Sequence, residues 1–185
     1  AWLGVAVLSV CVGSILSFYR NPWRSIPKNM PTGTMISPAD GVVSAIEHLD
    51  SHEAAEGPVI IIRIFLSVLN VHINRMPCDC VLKQAIYREG KFLDARSEES
   101  AKVNESNTLI LDANGIQIGL RQVSGKLAKR IICPIKAGDV FMQGQQFGMI
   151  TLGSTTELIL PHTSIVHVEK GDSVRGGLTQ LAVLC

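Results

Sequence analysis

The sequence predicts a mainly β chain, one β-sandwich or barrel-sandwich-like domain after an N-terminal membrane helix. Three observations lead there. From Ile36 onward, short β-branched runs alternate with Gly, Asn, Asp and Pro, and no long segment keeps a helical period. The apolar content, 46%, comes from Ile, Val, Leu and Ala, whereas aromatic residues make up 5%. Residues 1–18 carry no charge at all.

Those first 18 residues read as a membrane-associated hydrophobic segment. At ~1.5 Å per residue they reach about 27 Å, slightly short of a hydrocarbon core. Arg20, Arg24 and Lys28 follow, with Tyr19 and Trp23 at the expected interface. That order places the remainder on the cytoplasmic side of the cell membrane. A buried core helix is the competing reading. Residues 19–35, punctuated by Pro22, Pro27 and Pro31, form a linker, and residues 36–185 form the domain itself.

Within the domain, Val59 to Leu69 is apolar enough for a strand buried on both faces. Thr108–Leu111 and Ile116–Leu120 flank Asp112-Ala113-Asn114-Gly115, a strong hairpin signal. Asp94 to Asn107 is polar and reads as an excursion. Gly138-Asp139, Gly144 and Ile150 line up at constant offset with Gly171-Asp172, Gly177 and Val183, an internal pseudo-repeat of turn, strand, turn, strand. Small carrier domains share that turn pattern, and Ser37–Val43 is similar to their opening strand. Neither Lys126 nor Lys170 sits in the tight hairpin that a carrier lysine needs.

A net charge of +1 with 18% charged residues excludes a basic field for nucleic acid. Five cysteines without regular spacing argue against a disulfide framework and for a reducing compartment. Cys78 and Cys80 read as buried free thiols rather than metal ligands, because no second Cys or His pair matches them.

Met149–Leu152 and Glu157–Leu160 flank Gly153-Ser154-Thr155-Thr156. Alone, Gly153-Ser154 is a turn, Asp40-Gly41 is another, and His72 is a core histidine. Their company is more telling. The chain carries Phe18-Tyr19-Arg20-Asn21-Pro22-Trp23-Arg24, Ser37-Pro38-Ala39-Asp40-Gly41, and Asn70-Val71-His72-Ile73-Asn74-Arg75-Met76-Pro77. Asn104-Glu105-Ser106-Asn107, Gln122-Val123-Ser124-Gly125 with Lys129-Arg130-Ile131, and Gly144 through Thr155 come after. Six such pieces in one order resemble the phosphatidylserine decarboxylases, the short bacterial and archaeal-type branch more than the longer one.

The resemblance implies a pyruvoyl cofactor made from Ser154, with no metal and no pyridoxal phosphate. No side chain is an electron sink for carbanion chemistry, and a pyruvoyl group supplies one. Ser154 Oγ attacks the Gly153 carbonyl and the acyl group moves from nitrogen to oxygen. Base-assisted elimination then leaves dehydroalanine, which hydrolyses to pyruvoyl and ammonia. The chain thereby separates into fragments 1–153 (β chain) and 154–185 (α chain), which stay associated. Asp40 orients or charges the base and His72 takes the proton. Arg75 stands where the longer branch has a second histidine; it cannot act as a base, and is assigned to a substrate phosphate or carboxylate. His48, His52, His162 and His167 are reserves.

The expected reaction is conversion of phosphatidylserine to phosphatidylethanolamine and carbon dioxide at a membrane, with a phospholipid as partner and no nucleic acid. Another serine lipid, a soluble amino acid, or a non-catalytic β-sandwich binding module are alternatives. Whether the chain forms a homo-oligomer stays open.

Overall fold

The computed structural model describes residues 2–94, 98–126, 130–151 and 154–185. In chain order the elements are α1 (Trp2–Phe18), β1 (Thr34–Ile36), β2 (Gly41–Leu49), β3 (Val59–Leu66), β4 (Ile73–Arg75) and β5 (Cys80–Arg88). Next come α2 (Glu98–Val103), β6 (Ser106–Ala113), β7 (Ile116–Val123), β8 (Ile131–Ile132), β9 (Val140–Phe141) and β10 (Gln146–Ile150). The chain ends with β11 (Ser154–Pro161), β12 (Ile165–Val166), β13 (Ser173–Val174) and β14 (Gln180–Val183). It is mainly β, as expected.

Eight strands form one antiparallel sheet in the order β13-β2-β3-β11-β7-β6-β5-β9, without closing into a barrel. Two three-stranded sheets, β1-β14-β12 and β4-β10-β8, complete the fold. One face of the large sheet carries Ile62, Leu120 and Leu158 into a core shared with Met35, Phe147 and Leu181 of the small sheets. The other face holds a smaller cluster, Ile61, Ile110 and Ile159 with Ala54 and Ala55 of the preceding loop.

The hairpin forms where the sequence places it. β6 and β7 pair from Ser106↔Val123 to Ala113↔Ile116 around Asn114 and Gly115. Both turn residues have positive φ, 54° and 87°, the geometry that Asn-Gly accepts at least cost. The Asp112 carboxylate accepts from Gly115 N at 2.7 Å. The 94–107 excursion contains α2 and the start of β6.

The offset pattern is visible as geometry. Gly138 and Gly171 have φ of 94° and 103°, and Gly144 and Gly177 have 76° and 79°. Asp139 accepts from Lys136 N, and Asp172 from Glu169 N, both at 2.8 Å. Each turn serves a different long strand: Val43 N donates to Asp172 O, and Leu82 N to Asp139 O, both at 2.9 Å. Asp40 and Asp79 occupy matching places, accepting from Gly176 N at 2.8 Å and Gln143 N at 2.6 Å.

The membrane helix is the expectation that needs correction. α1 forms, but no helix among the described residues is long and apolar enough to cross a membrane. Its 17 residues rise about 25 Å, against a hydrocarbon core of about 30 Å. Neither is it a core helix: Trp2, Leu3, Leu8, Val10 and Leu16 are exposed and only Phe18 is buried.

β11 sits at the centre of the large sheet, laddered to β3 from Ser154↔Leu66 to Pro161↔Val59 and to β7 from Thr155↔Val123 to Ile159↔Gly119. Glu157, buried in its middle, accepts from Arg63 Nε at 2.7 Å and from Arg121 Nη1 at 3.3 Å. Removing a carboxylate from such a group leaves buried cations uncompensated. Glu157→Ala is therefore expected to lower the unfolding free energy by about 3–5 kcal/mol, read from urea denaturation.

Candidate active site

The face that carries the main core changes character along its length. Leu158 and Leu160 of β11 are apolar, whereas Ser154 and Thr156, two residues apart on that same face, are polar and fully buried. Gln122 of β7, paired with Thr156, and Asn107 of β6, paired with Gln122, continue the polar patch. A chain of side-chain hydrogen bonds ties them together. Asn107 Nδ2 donates to Gln122 Oε1 at 3.2 Å, Gln122 Nε2 to Asn74 Oδ1 at 2.8 Å, and Asn74 Nδ2 to Thr156 Oγ1 at 3.1 Å. Gly148 makes room for it, because a Cβ there would lie 2.6 Å from Ile132 O and 3.2 Å from Gln122 Nε2.

Ser154 opens β11, is fully buried, and its Oγ has no hydrogen-bond partner among the described residues. An orphaned hydroxyl in a core costs about 1–3 kcal/mol, so its presence asks for a use. Gly153 and Leu152, the residues before it, lie outside the described residues, as does Lys129.

His72 is likewise fully buried, and among the described residues neither ring nitrogen reaches a partner in strict hydrogen-bond geometry. Its ring lies against Phe18 with centroids 4.2 Å apart, and its carbonyl accepts from Ile150 N at 3.3 Å. Burial pushes the imidazole down to about 4, helped by the charge of Arg20 and opposed by the Asn70 backbone and Asp40. The ring is therefore neutral near pH 7, with a lone pair free to take a proton. Asn74, two residues after His72, touches Thr156, two residues after Ser154, so one contact ties the two segments together.

Asp40 is held by Arg24 and the backbone rather than by His72. Arg24 grips its carboxylate at both oxygens, 2.5 and 2.7 Å, and Gly176 N donates to it at 2.8 Å. With both oxygens taken it makes no hydrogen bond to His72; it acts there only through charge. The 19–35 segment is the cause, since it carries Arg24 onto the domain.

Arg75 donates to Gly144 O at 3.0 Å and to Asn21 Oδ1 at 3.1 Å. It is buried, and among the described residues it has no carboxylate partner. Burial and Arg24 hold its guanidinium below the usual value, against the pull of Asp40. It borders a cavity of 360 Å³ lined also by Asn21, Trp23, Arg24 and Gln146. Two cations face one carboxylate there, which leaves a net positive charge suited to an anion.

The reserve histidines stand apart. His162 follows the far end of β11, some eight residues or roughly 26 Å along the strand from Ser154. His48 and His167 are exposed, and His52 Nδ1 accepts from Ala54 N at 3.1 Å in the loop over the opposite face. Cys78 and Cys80 are buried free thiols. Sequence reasoning missed Arg24 as the holder of Asp40, Phe18 as the wall of His72, and the Asn107–Gln122–Asn74–Thr156 chain. The last had a signal: polar residues at every second position where the core face should be apolar.

The family model described as phosphatidylserine decarboxylase matches residues 14–182. The phosphatidylserine decarboxylase proenzyme of Carboxydothermus hydrogenoformans is 39% identical over 96% of this chain and 83% of its own length. Those of Magnetococcus marinus and Rhodopirellula baltica are 34% and 38% identical, over 100% and 98% of this chain and 85% and 76% of theirs. These likenesses make the chain a decarboxylase. It belongs to the phosphatidylserine decarboxylase family.

Proposed function

We propose that the chain is a proenzyme that cuts itself between Gly153 and Ser154 and, as fragments 1–153 and 154–185, decarboxylates phosphatidylserine to phosphatidylethanolamine. The observation that carries this is the buried, unpartnered Ser154 Oγ at the mouth of a central strand, in a chain of this family. The residues fit a pyruvoyl group made at Ser154: its oxygen carries no hydrogen bond to any of the described residues, and Thr156, next along the same face, belongs to a polar chain through Asn74. Once formed, that group supplies the electron sink for loss of carbon dioxide.

The chain's own residues do the rest. His72, neutral and beside Phe18, takes the Ser154 Oγ proton, with the charge of Asp40 favouring the imidazolium that forms. Arg75 and the surplus positive charge of its cavity hold a phosphate or carboxylate of the substrate. The ladders of β11 and the ion group at Glu157 keep the fragments together. The three-sheet packing is read as a barrel-sandwich scaffold with its turn unit used twice.

The intact mass of the purified protein tests the cut. Two chains are expected, the smaller blocked to Edman sequencing, and they should release carbon dioxide from phosphatidylserine vesicles. A single active chain of 20.0 kDa would end this reading.

Localisation at the cytoplasmic face of the cell membrane is part of the proposal. Support comes from the exposed apolar surface of α1 and from exposed Leu69 and Val68, which border with Phe18 an apolar groove of 710 Å³. Arg20 fixes the pair of walls, donating to Ser17 O and Leu69 O, both at 2.6 Å. Deleting residues 2–16, which spares Phe18, should abolish co-sedimentation with anionic vesicles while self-cleavage continues. Unchanged sedimentation would remove α1 from this role.

A further inference from the structure

We propose that Ser124 is a positioning residue for self-cleavage, holding the Ser154 hydroxyl in line for attack through a row that ends on Glu105; this rests on the cut proposed above. The placement follows from strand register. β11 and β7 pair at Thr155↔Val123, so Ser154, one step before, and Ser124, one step after, stand across from each other. On the far side β7 and β6 pair at Val123↔Ser106, which sets Glu105 beside Ser124, and Ser124 N donates to Glu105 O at 2.9 Å. Alternation puts Ser154 with Thr156, Ser124 with Gln122, and Glu105 with Asn107 on one face. That face is shared, since Asn107 bonds Gln122 and Asn74 links Gln122 to Thr156.

Three atoms along this line are buried without partners among the described residues: Ser154 Oγ, Ser124 Oγ and Glu105 Oε2. Glu105 Oε1 is already taken by the Tyr87 hydroxyl at 2.7 Å. Three orphaned polar atoms in one row of a core are costly apart and mutually complementary. A hydroxyl both donates and accepts, and a carboxylate accepts. In the resting chain Ser154 donates to Ser124, and Ser124 donates to Glu105; as Ser154 attacks, its proton leaves Ser124 for His72. The row fixes the rotamer of Ser154 and leaves one of its lone pairs for the Gly153 carbonyl. It also anchors to the backbone, because Asn104 Nδ2 donates to Ser124 O at 2.8 Å.

The test follows cleavage of freshly translated chain over time on denaturing gels. Ser124→Ala should slow cleavage by about tenfold or more, the worth of one hydrogen bond or two. Ser124→Thr, which keeps the hydroxyl, should return to within about threefold of the parent. The loss should fall at least tenfold harder on cleavage than on turnover per cleaved chain, since Ser154 Oγ is gone from the mature enzyme. A Ser124→Ala chain that cleaves at the parent rate overturns the proposal, as does Ser124→Thr as slow as Ala with a normal melting temperature. Should Ser124→Ala not fold, Glu105→Leu, which has no acceptor, decides: slowed cleavage upholds the row and parent-rate cleavage refutes it. Ser154→Ala runs alongside, because cleavage there would overturn the self-cleavage reading itself, whereas its loss beside an unaffected Ser124→Ala defeats only the row.

Discussion

Ser154→Ala will leave the chain whole: one band near 20.0 kDa, and no carbon dioxide from phosphatidylserine. The effect is all or none because the substitution removes the one oxygen that both attacks the Gly153 carbonyl and leaves in the elimination on which the pyruvoyl group depends. Alanine should be tolerated structurally. The hydroxyl it removes is buried and bonded to none of the described residues, so a desolvated polar group goes with it and at most the hydrogen bond proposed with Ser124 is lost. Melting temperature should therefore stay close to the parent's, and a folded, uncut, inactive protein separates chemistry from stability. Cleavage or decarboxylation by that variant would end the assignment.

His72→Ala is expected to slow the cut by about a hundredfold to ten-thousandfold, the range for losing a general base. Two controls sharpen it. Arg75→Ala should still cleave but turn over substrate poorly, because it loses an anion contact. Asp40→Asn should cost cleavage less than His72→Ala, since Asp40 acts on the ring through charge alone, although it also frees Arg24. The pH dependence has a definite sign. The folded value of His72, about 4, lies below its ordinary 6.5, so the ring stays a base until the pH falls near 4. No inflection at 6.5 is expected in the cleavage rate. Stability is fully present above pH 6.5 and falls by about 3 kcal/mol towards pH 4, as the unfolded ring takes a proton that the folded ring refuses. An unchanged cleavage rate in His72→Ala would show that another group is the base.

Much of the fold was legible because its signals are local. Asn114-Gly115 needs two positive φ values and announces a hairpin wherever it stands. The β-branched run at Val59 reads as buried because nothing polar interrupts it until Arg63, and Arg63 is answered by Glu47 and Glu157. Ser154, His72 and Arg75 are singled out by motif company rather than by spacing. What escaped the sequence was long-range. Nothing near Asp40 says that Arg24, sixteen residues earlier, takes both its oxygens, and nothing near His72 says that Phe18 covers it. The apolar start of the chain announced a helix, but charge-free composition does not say what covers it.

The matched turns have a consequence for how the protein can refold. One turn unit, around Asp139, serves β5, and the other, around Asp172, serves β2. A cut ahead of Ser154 therefore falls between them: residues 1–153 keep one unit and its strand together, while the other unit is parted from the strand it completes. Before the cut, folding is a unimolecular search whose rate ignores dilution. After it, the same sheet can be rebuilt only by the meeting of two molecules, with a 32-residue piece carrying the central strand. Denatured uncut chain should thus recover at a rate independent of concentration, and denatured mature enzyme at one that falls as the solution is thinned. Maturation turns a self-contained fold into a partnership that dilution can dissolve.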